Sequence, residues 1–204
     1  YQGIFPKEWM ERLHLDWADF HMDALERWDR LSFLKGGIAF ADLVTTVSPS
    51  YAAEIRTPRF GEALDGFLRH GNRPVVGVLN GIDTEAWNPA TDPELPARYS
   101  ASHPAGKADC RAALLTEHGW SPDDPSLLLV LIGRFTEQKG LDIAADLVPY
   151  LGDLDARLIV LGSGEPELER RFRSLAAAHP DRLAARIGFI PELSRRMYAG
   201  GDAL

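Results

Sequence analysis

The sequence contains a single cysteine, Cys110, among its 204 residues. One thiol can form neither an internal disulfide framework nor a multi-cysteine zinc site, and such sparse use of cysteine fits a reducing compartment. The sequence also lacks an apolar stretch long enough to cross a membrane, and no signal-peptide pattern opens it. We therefore expect a cytoplasmic protein without a membrane partner.

Basic residues are in short supply relative to acidic ones. The chain has 22 lysines and arginines against 30 aspartates and glutamates, for a net charge of -8. This balance argues against nucleic acid as a partner. The hydrophobic share of 45% is typical of a globular protein with a substantial core. Because the net charge is negative, any anionic ligand must be bound by a local group of basic side chains.

The most informative stretch begins at Leu127. Residues 127–132 form an unbroken apolar run, which is typical of a strand buried on both faces of a parallel sheet. A loop with Arg134 and Lys139 follows, and a helical pattern starts near Leu141. Ligands of open α/β sheets bind beyond the carboxyl ends of the strands, and unpaired N–H groups at a helix start favour anions. The two cations could hold a phosphate, although solvated loop cations are also common.

Strands and helices alternate from residue 74 to residue 200. Further buried strands are predicted at 74–80, 156–161 and 183–189, and helices at 107–118, at 141–151 and after the GSG turn at 162–164. This alternation predicts an α/β fold with a doubly wound parallel sheet. The glycines of the GSG turn fit a tight strand-to-helix connection. Residues 1–30 are expected to form short helices and loops.

Three motifs together resemble one enzyme family. They are SFLKGGIAFADLVTTVSPSYAAEI from residue 32, NGIDTEAWNPATD from residue 80 and GRFTEQKGLD from residue 133. All three resemble the glycogen and starch synthases, retaining GT-B glycosyltransferases of family 5. The resemblance implies that residues 1–78 end a first, acceptor-side domain. Residues 79–204 would then form most of a second, nucleotide-sugar-binding Rossmann-like domain.

The resemblance also implies a function and a set of site residues. The family is a group of hexosyltransferases that move glucose from ADP-glucose to the nonreducing end of an α-1,4-glucan such as glycogen, with retention. Carried over, Arg134 and Lys139 would be catalytic and hold the donor diphosphate, with Gly133 beside them. Asn80 would contact the glucosyl unit or diphosphate, and Phe189 would stack on adenine. No metal and no other cofactor are implied.

Several alternatives remain open from the residues themselves. Asn80 is also explained by an ordinary Asn-Gly turn, and Phe189 by a buried core position. The chain could belong to a different GT-B enzyme that uses a UDP- or GDP-sugar, or to a noncatalytic nucleotide-binding module. Because it begins at Tyr1 and stops within an apolar pattern, we expect a piece of a longer protein that is inactive alone.

Overall fold

The structure is a computed structural model that describes residues 2–71 and 74–204. The chain divides into two compact units, Tyr1–Ile82 and Asp83–Leu204. The assignment of residues 1–78 and 79–204 to acceptor-side and nucleotide-sugar-binding domains stays a prediction. Among the described residues, every helix is too short or too polar to cross a lipid bilayer.

The first unit opens with a small antiparallel sheet that the sequence did not reveal. Its strands are β1 (Ile4–Pro6), β2 (Glu26–Arg27) and β3 (Arg30–Ser32), in the order β1-β3-β2. The expectation of helices and loops alone was therefore wrong for residues 1–30. Strands of two or three residues are too short to show the apolar alternation that identifies a strand.

Helices and a parallel strand pair complete the first unit. Strands β4 (Val44–Thr46) and β5 (Val75–Gly77) pair in parallel. The helices are α1 (Trp9–Arg12), α2 (Phe33–Phe40), α3 (Pro49–Glu54) and α4 (Asp65–His70), with a 3-10 helix at Trp17–Asp19. Helix α3 starts at Pro49, because the Ser48 hydroxyl accepts a hydrogen bond from the amide of Tyr51 and a proline suits the first helical position.

Strand β5 is shorter and more exposed than its apolar sequence predicts. Val75 is buried, but Val76 is 41% exposed and Leu79 is 71% exposed. In the part of the chain that the structure describes, β5 pairs with β4 and has no second neighbouring strand. The expectation of a buried strand across 74–80 is therefore met only at its start.

The second unit is built on a parallel sheet of three strands. These are β6 (Leu127–Ile132), β7 (Ala156–Gly162) and β8 (Leu183–Ile187), in the order β6-β7-β8. Leu127 pairs with Ala156, and Leu158 pairs with Leu183, so all three strands end at the same edge. Strand β6 has the bounds that its apolar run predicts.

Helices cover both faces of this sheet. They are α5 (Gly106–Glu117), α6 (Leu141–Leu147), α7 (Pro166–Ala178) and α8 (Pro191–Gly200), with 3-10 helices at Glu137–Lys139 and Val148–Tyr150. Leu158 and Val160 of β7 face the core formed with α6 and α7, whereas Ile159 and Leu161 face the core formed with α5 and α8. The predicted doubly wound arrangement is confirmed in this unit.

The proline-rich segment at residues 87–100, which precedes α5, packs against α8. The ring of Trp87 lies edge-on to that of Tyr198, with centroids 5.7 Å apart. Arg195 stacks over Trp87 and pairs with Asp92 at 3.1 Å. This segment is therefore ordered and packed on the surface of the second unit.

Candidate functional site

A cleft of about 280 Å³ lies at the carboxyl ends of the three parallel strands of the second unit. Its walls come from the last residues of β6 and β7, from the loops after all three strands and from the start of α8. They include Gly133, Arg134, Ser163, Gly188, Phe189 and Ser194. This is the edge at which open α/β sheets bind their ligands. Of the predicted site residues, Gly133, Arg134 and Phe189 meet here.

Arg134 is fixed at the cleft by the backbone on either side of it. The amide of Gly133 donates to the carbonyl of Leu161 at 3.0 Å, and the amide of Phe135 donates to the carbonyl of Ser163 at 3.0 Å. The guanidinium is exposed and, within residues 2–71 and 74–204, has no hydrogen bond or ion pair. By contrast, Arg157 of the same unit pairs with Asp124. The charge of Arg134 is therefore free to meet an anionic ligand.

Phe189 projects into solvent beside the cleft. Strand β8 ends at Ile187, and the side chain of Phe189 is 91% exposed. The alternative of a buried core phenylalanine is therefore wrong. An exposed ring at the mouth of a cleft offers an apolar face to a planar ligand. Its stacking on adenine stays a prediction.

Lys139 and Asn80 lie outside the residues that line this cleft. Lys139 ends the 3-10 helix that follows the Arg134 loop and is exposed. Gly140 after it has a φ of 70°, which lets the chain turn into α6. Asn80 belongs to the first unit, beyond the end of β5, and is also exposed. The roles assigned to both residues stay predictions.

The start of α8 supplies cleft residues that sequence reasoning missed. Ile190, Pro191 and Ser194 line the cleft, and the Ser194 hydroxyl donates to the carbonyl of Pro191 at 2.6 Å. The first amides of a helix have no intrahelical partner and favour negative charge. The signal available in the sequence was a proline-initiated helix directly after a strand end.

A larger cavity of about 930 Å³ lies in the first unit. Its cations already have partners: the amine of Lys35 donates to the carbonyls of Met22 and Glu26, and Arg27 donates to the carbonyl of Glu62 at 2.7 Å. Burial lowers the pKa of Lys35. None of the predicted site residues lines this cavity, so we place the candidate site in the smaller cleft. Among the described residues, no group of three His, Cys, Asp or Glu side chains is arranged to hold a metal ion.

Comparisons with known proteins find relatives that match almost the whole chain. The chain is 53% identical to a glycogen synthase of Anaeromyxobacter sp. (strain Fw109-5) over 99% of this chain and 42% of that protein. It is 49% identical to glycogen synthase 1 of Methylococcus capsulatus (strain ATCC 33009 / NCIMB 11132 / Bath), over 99% of this chain and 41% of that protein. A family model described as the starch synthase catalytic domain matches residues 1–70. Along almost its whole length, this chain is similar to glycogen and starch synthases.

A solved structure of the family confirms the predicted fold class. The catalytic domain of starch synthase IV from Arabidopsis thaliana, bound to ADP and acarbose, is 32% identical with a TM-score of 0.90. The match covers 99% of this chain and 43% of that one. The α/β fold is therefore of the GT-B type found in glycogen and starch synthases. The chain spans less than half of the length of the family members that it matches.

Proposed function

We propose that the full-length polypeptide carrying this chain transfers glucose from ADP-glucose to the nonreducing end of an α-1,4-glucan, with retention. The observation that carries the proposal is the unpaired guanidinium of Arg134 at the cleft where three parallel strands end. The extensive identity to glycogen synthases supports the choice of reaction. The ADP in the related starch synthase IV structure supports the choice of nucleotide.

The chemistry of the proposed reaction requires positive charge at the leaving group. The bond between glucose C1 and the diphosphate oxygen breaks, while the acceptor hydroxyl oxygen forms a new bond to C1. The hydroxyl proton passes to the departing diphosphate, on the same face of the sugar. Negative charge grows on the diphosphate during this step, so a fixed cation stabilises the transition state more than the ground state. Arg134 has this role, and Lys139 adds a second cation from the following 3-10 helix.

The nucleoside end of the donor requires a different kind of contact. A purine ring is planar and largely apolar on its faces, and the exposed ring of Phe189 suits it. Gly133 has no side chain and leaves room for the donor between Arg134 and the strand end. Asn80 is proposed to offer its amide to the glucosyl unit or the diphosphate.

We place the reaction in the cytoplasm, with glycogen as the acceptor. The single cysteine, which is a buried residue of α5, needs no oxidising compartment.

The test is glucose transfer onto glycogen by the full-length protein, with ADP-glucose and UDP-glucose compared in parallel. Transfer from ADP-glucose at the higher kcat/KM is the expected result. Transfer from UDP-glucose alone would contradict ADP-glucose as the donor but would still support glucose transfer to the glucan. If neither donor gave transfer while ADP still bound, a noncatalytic nucleotide-binding module would replace the proposal.

A further inference from the structure

Backbone pairing between β6 and β7 continues past the ends of both strands. Phe135 and Gly164 form a parallel bridge, in which Phe135 donates to the carbonyl of Ser163 and accepts from the amide of Glu165 at 2.8 Å. The loop that carries Arg134 is thus held on both sides by sheet-like hydrogen bonds. Such a loop has less freedom than an ordinary surface connection.

Two glycines make this close pairing possible. A Cβ atom on Gly162 would lie 1.8 Å from the carbonyl oxygen of Gly133. A Cβ on Gly164 would lie 2.3 Å from the carbonyl oxygen of Phe135. Both distances are far below any tolerated contact, and the clashing atoms are backbone that a rotamer change cannot move. The turn geometry inferred from the sequence is therefore an incomplete explanation of these glycines.

The side chain of Phe135 anchors the same loop in the core. It is fully buried, and its ring packs on that of Phe172 with centroids 5.1 Å apart. Successive side chains of an extended segment point to opposite sides. Because Phe135 points into the core shared with α6 and α7, its neighbour Arg134 points out into the cleft.

We infer that Phe135, Gly162 and Gly164 are positioning residues that act through Arg134. They hold its guanidinium at the place where the leaving diphosphate gains charge, and none of them needs to bond to the donor. This inference rests on the proposed function, because the Phe135–Gly164 bridge is taken to position Arg134 for that glucose transfer.

A double-mutant cycle in the full-length protein tests the inference. Gly164→Ala is made alone and together with Arg134→Ala, and turnover with ADP-glucose and the Kd for ADP are measured. Displacing the loop by about 1 Å should lower turnover by about 100-fold. In the Arg134→Ala background the same substitution should cause little further loss, because the group that it misplaces is gone. Gly152→Ala is the matched control, since a Cβ there meets nothing within 4 Å.

A second pair of variants covers the case in which Gly164→Ala does not fold. Phe135→Leu and Phe172→Leu remove rings of the same type from the same core, so both should lower the melting temperature. Phe135→Leu should lower turnover in the wild-type background but cause little further loss in the Arg134→Ala background. Phe172→Leu should show no such dependence on Arg134.

The outcomes separate this inference from the proposed function. If Gly164→Ala lowered turnover by the same factor in the wild-type and Arg134→Ala backgrounds, its role would be purely structural. That result would overturn this inference and leave the proposed function standing. A wild-type protein that neither bound ADP nor transferred glucose would contradict the proposed function, and the inference with it.

Discussion

Replacing Arg134 by alanine should abolish most turnover without weakening the fold. In the described part of the chain the Arg134 side chain has no hydrogen bond or ion pair to lose. The free energy of unfolding should therefore change by no more than about 0.5 kcal/mol, as for other surface substitutions. A preorganised charge at a developing anion is worth about 2.7–4 kcal/mol, so kcat should fall by about 100- to 1,000-fold.

The assay is steady-state glucose transfer from ADP-glucose onto glycogen by the full-length protein, with chemical denaturation run on the same samples. Arg170→Ala is the matched control, because Arg170 is an exposed arginine of the same unit that pairs with Glu167 on the outer surface of α7. Exposed pairs of this kind contribute at most about 1 kcal/mol. If Arg134→Ala retained the turnover of Arg170→Ala, the diphosphate role of Arg134 would be refuted.

Three further predictions concern the second cation, the exposed ring and a partly buried ion pair. Lys139→Ala should lower turnover by about 100-fold while the melting temperature stays constant, and unchanged transfer kinetics would remove Lys139 from the site. Phe189→Ala should weaken ADP binding by about 1–3 kcal/mol in calorimetry, whereas Phe189→Tyr should keep it; equal affinities for all three proteins would exclude stacking. The Arg157 guanidinium, which donates from Nε to Asp124 at 2.9 Å, holds the pKa of that carboxyl well below its ordinary value. The resulting stability is present above about pH 4 and is lost as the pH falls toward the folded-state pKa. Asp124→Asn should therefore cost about 1–3 kcal/mol at neutral pH in urea unfolding. Its deficit should shrink below about pH 4, and a deficit independent of pH would contradict the assignment.

The sequence predicted the second unit well because its signals are local. A strand buried on both faces needs an unbroken apolar run, so residues 127–132 identify β6 without further information. The position of Arg134 at the cleft follows from the same strand, since its loop must leave at the carboxyl edge. In the first unit, β1 to β3 contain only two or three residues each, and no periodicity can show in so few positions.

The parts that the sequence could not supply depend on contacts between distant residues. Gly162 and Gly164 fit a turn when read locally, and only the approach of the Gly133–Phe135 backbone shows why no side chain is tolerated there. The exposure of Phe189 likewise depends on where β8 ends. Its apolar neighbours continue the strand pattern past Ile187, so the sequence left a buried position equally open.

The most direct test of the account is a crystal structure of the full-length protein with ADP. We expect the diphosphate within hydrogen-bond distance of the Arg134 guanidinium and the adenine ring against Phe189. A nucleotide bound elsewhere, with the cleft at the ends of β6, β7 and β8 empty, would contradict the central claim that this cleft holds the donor.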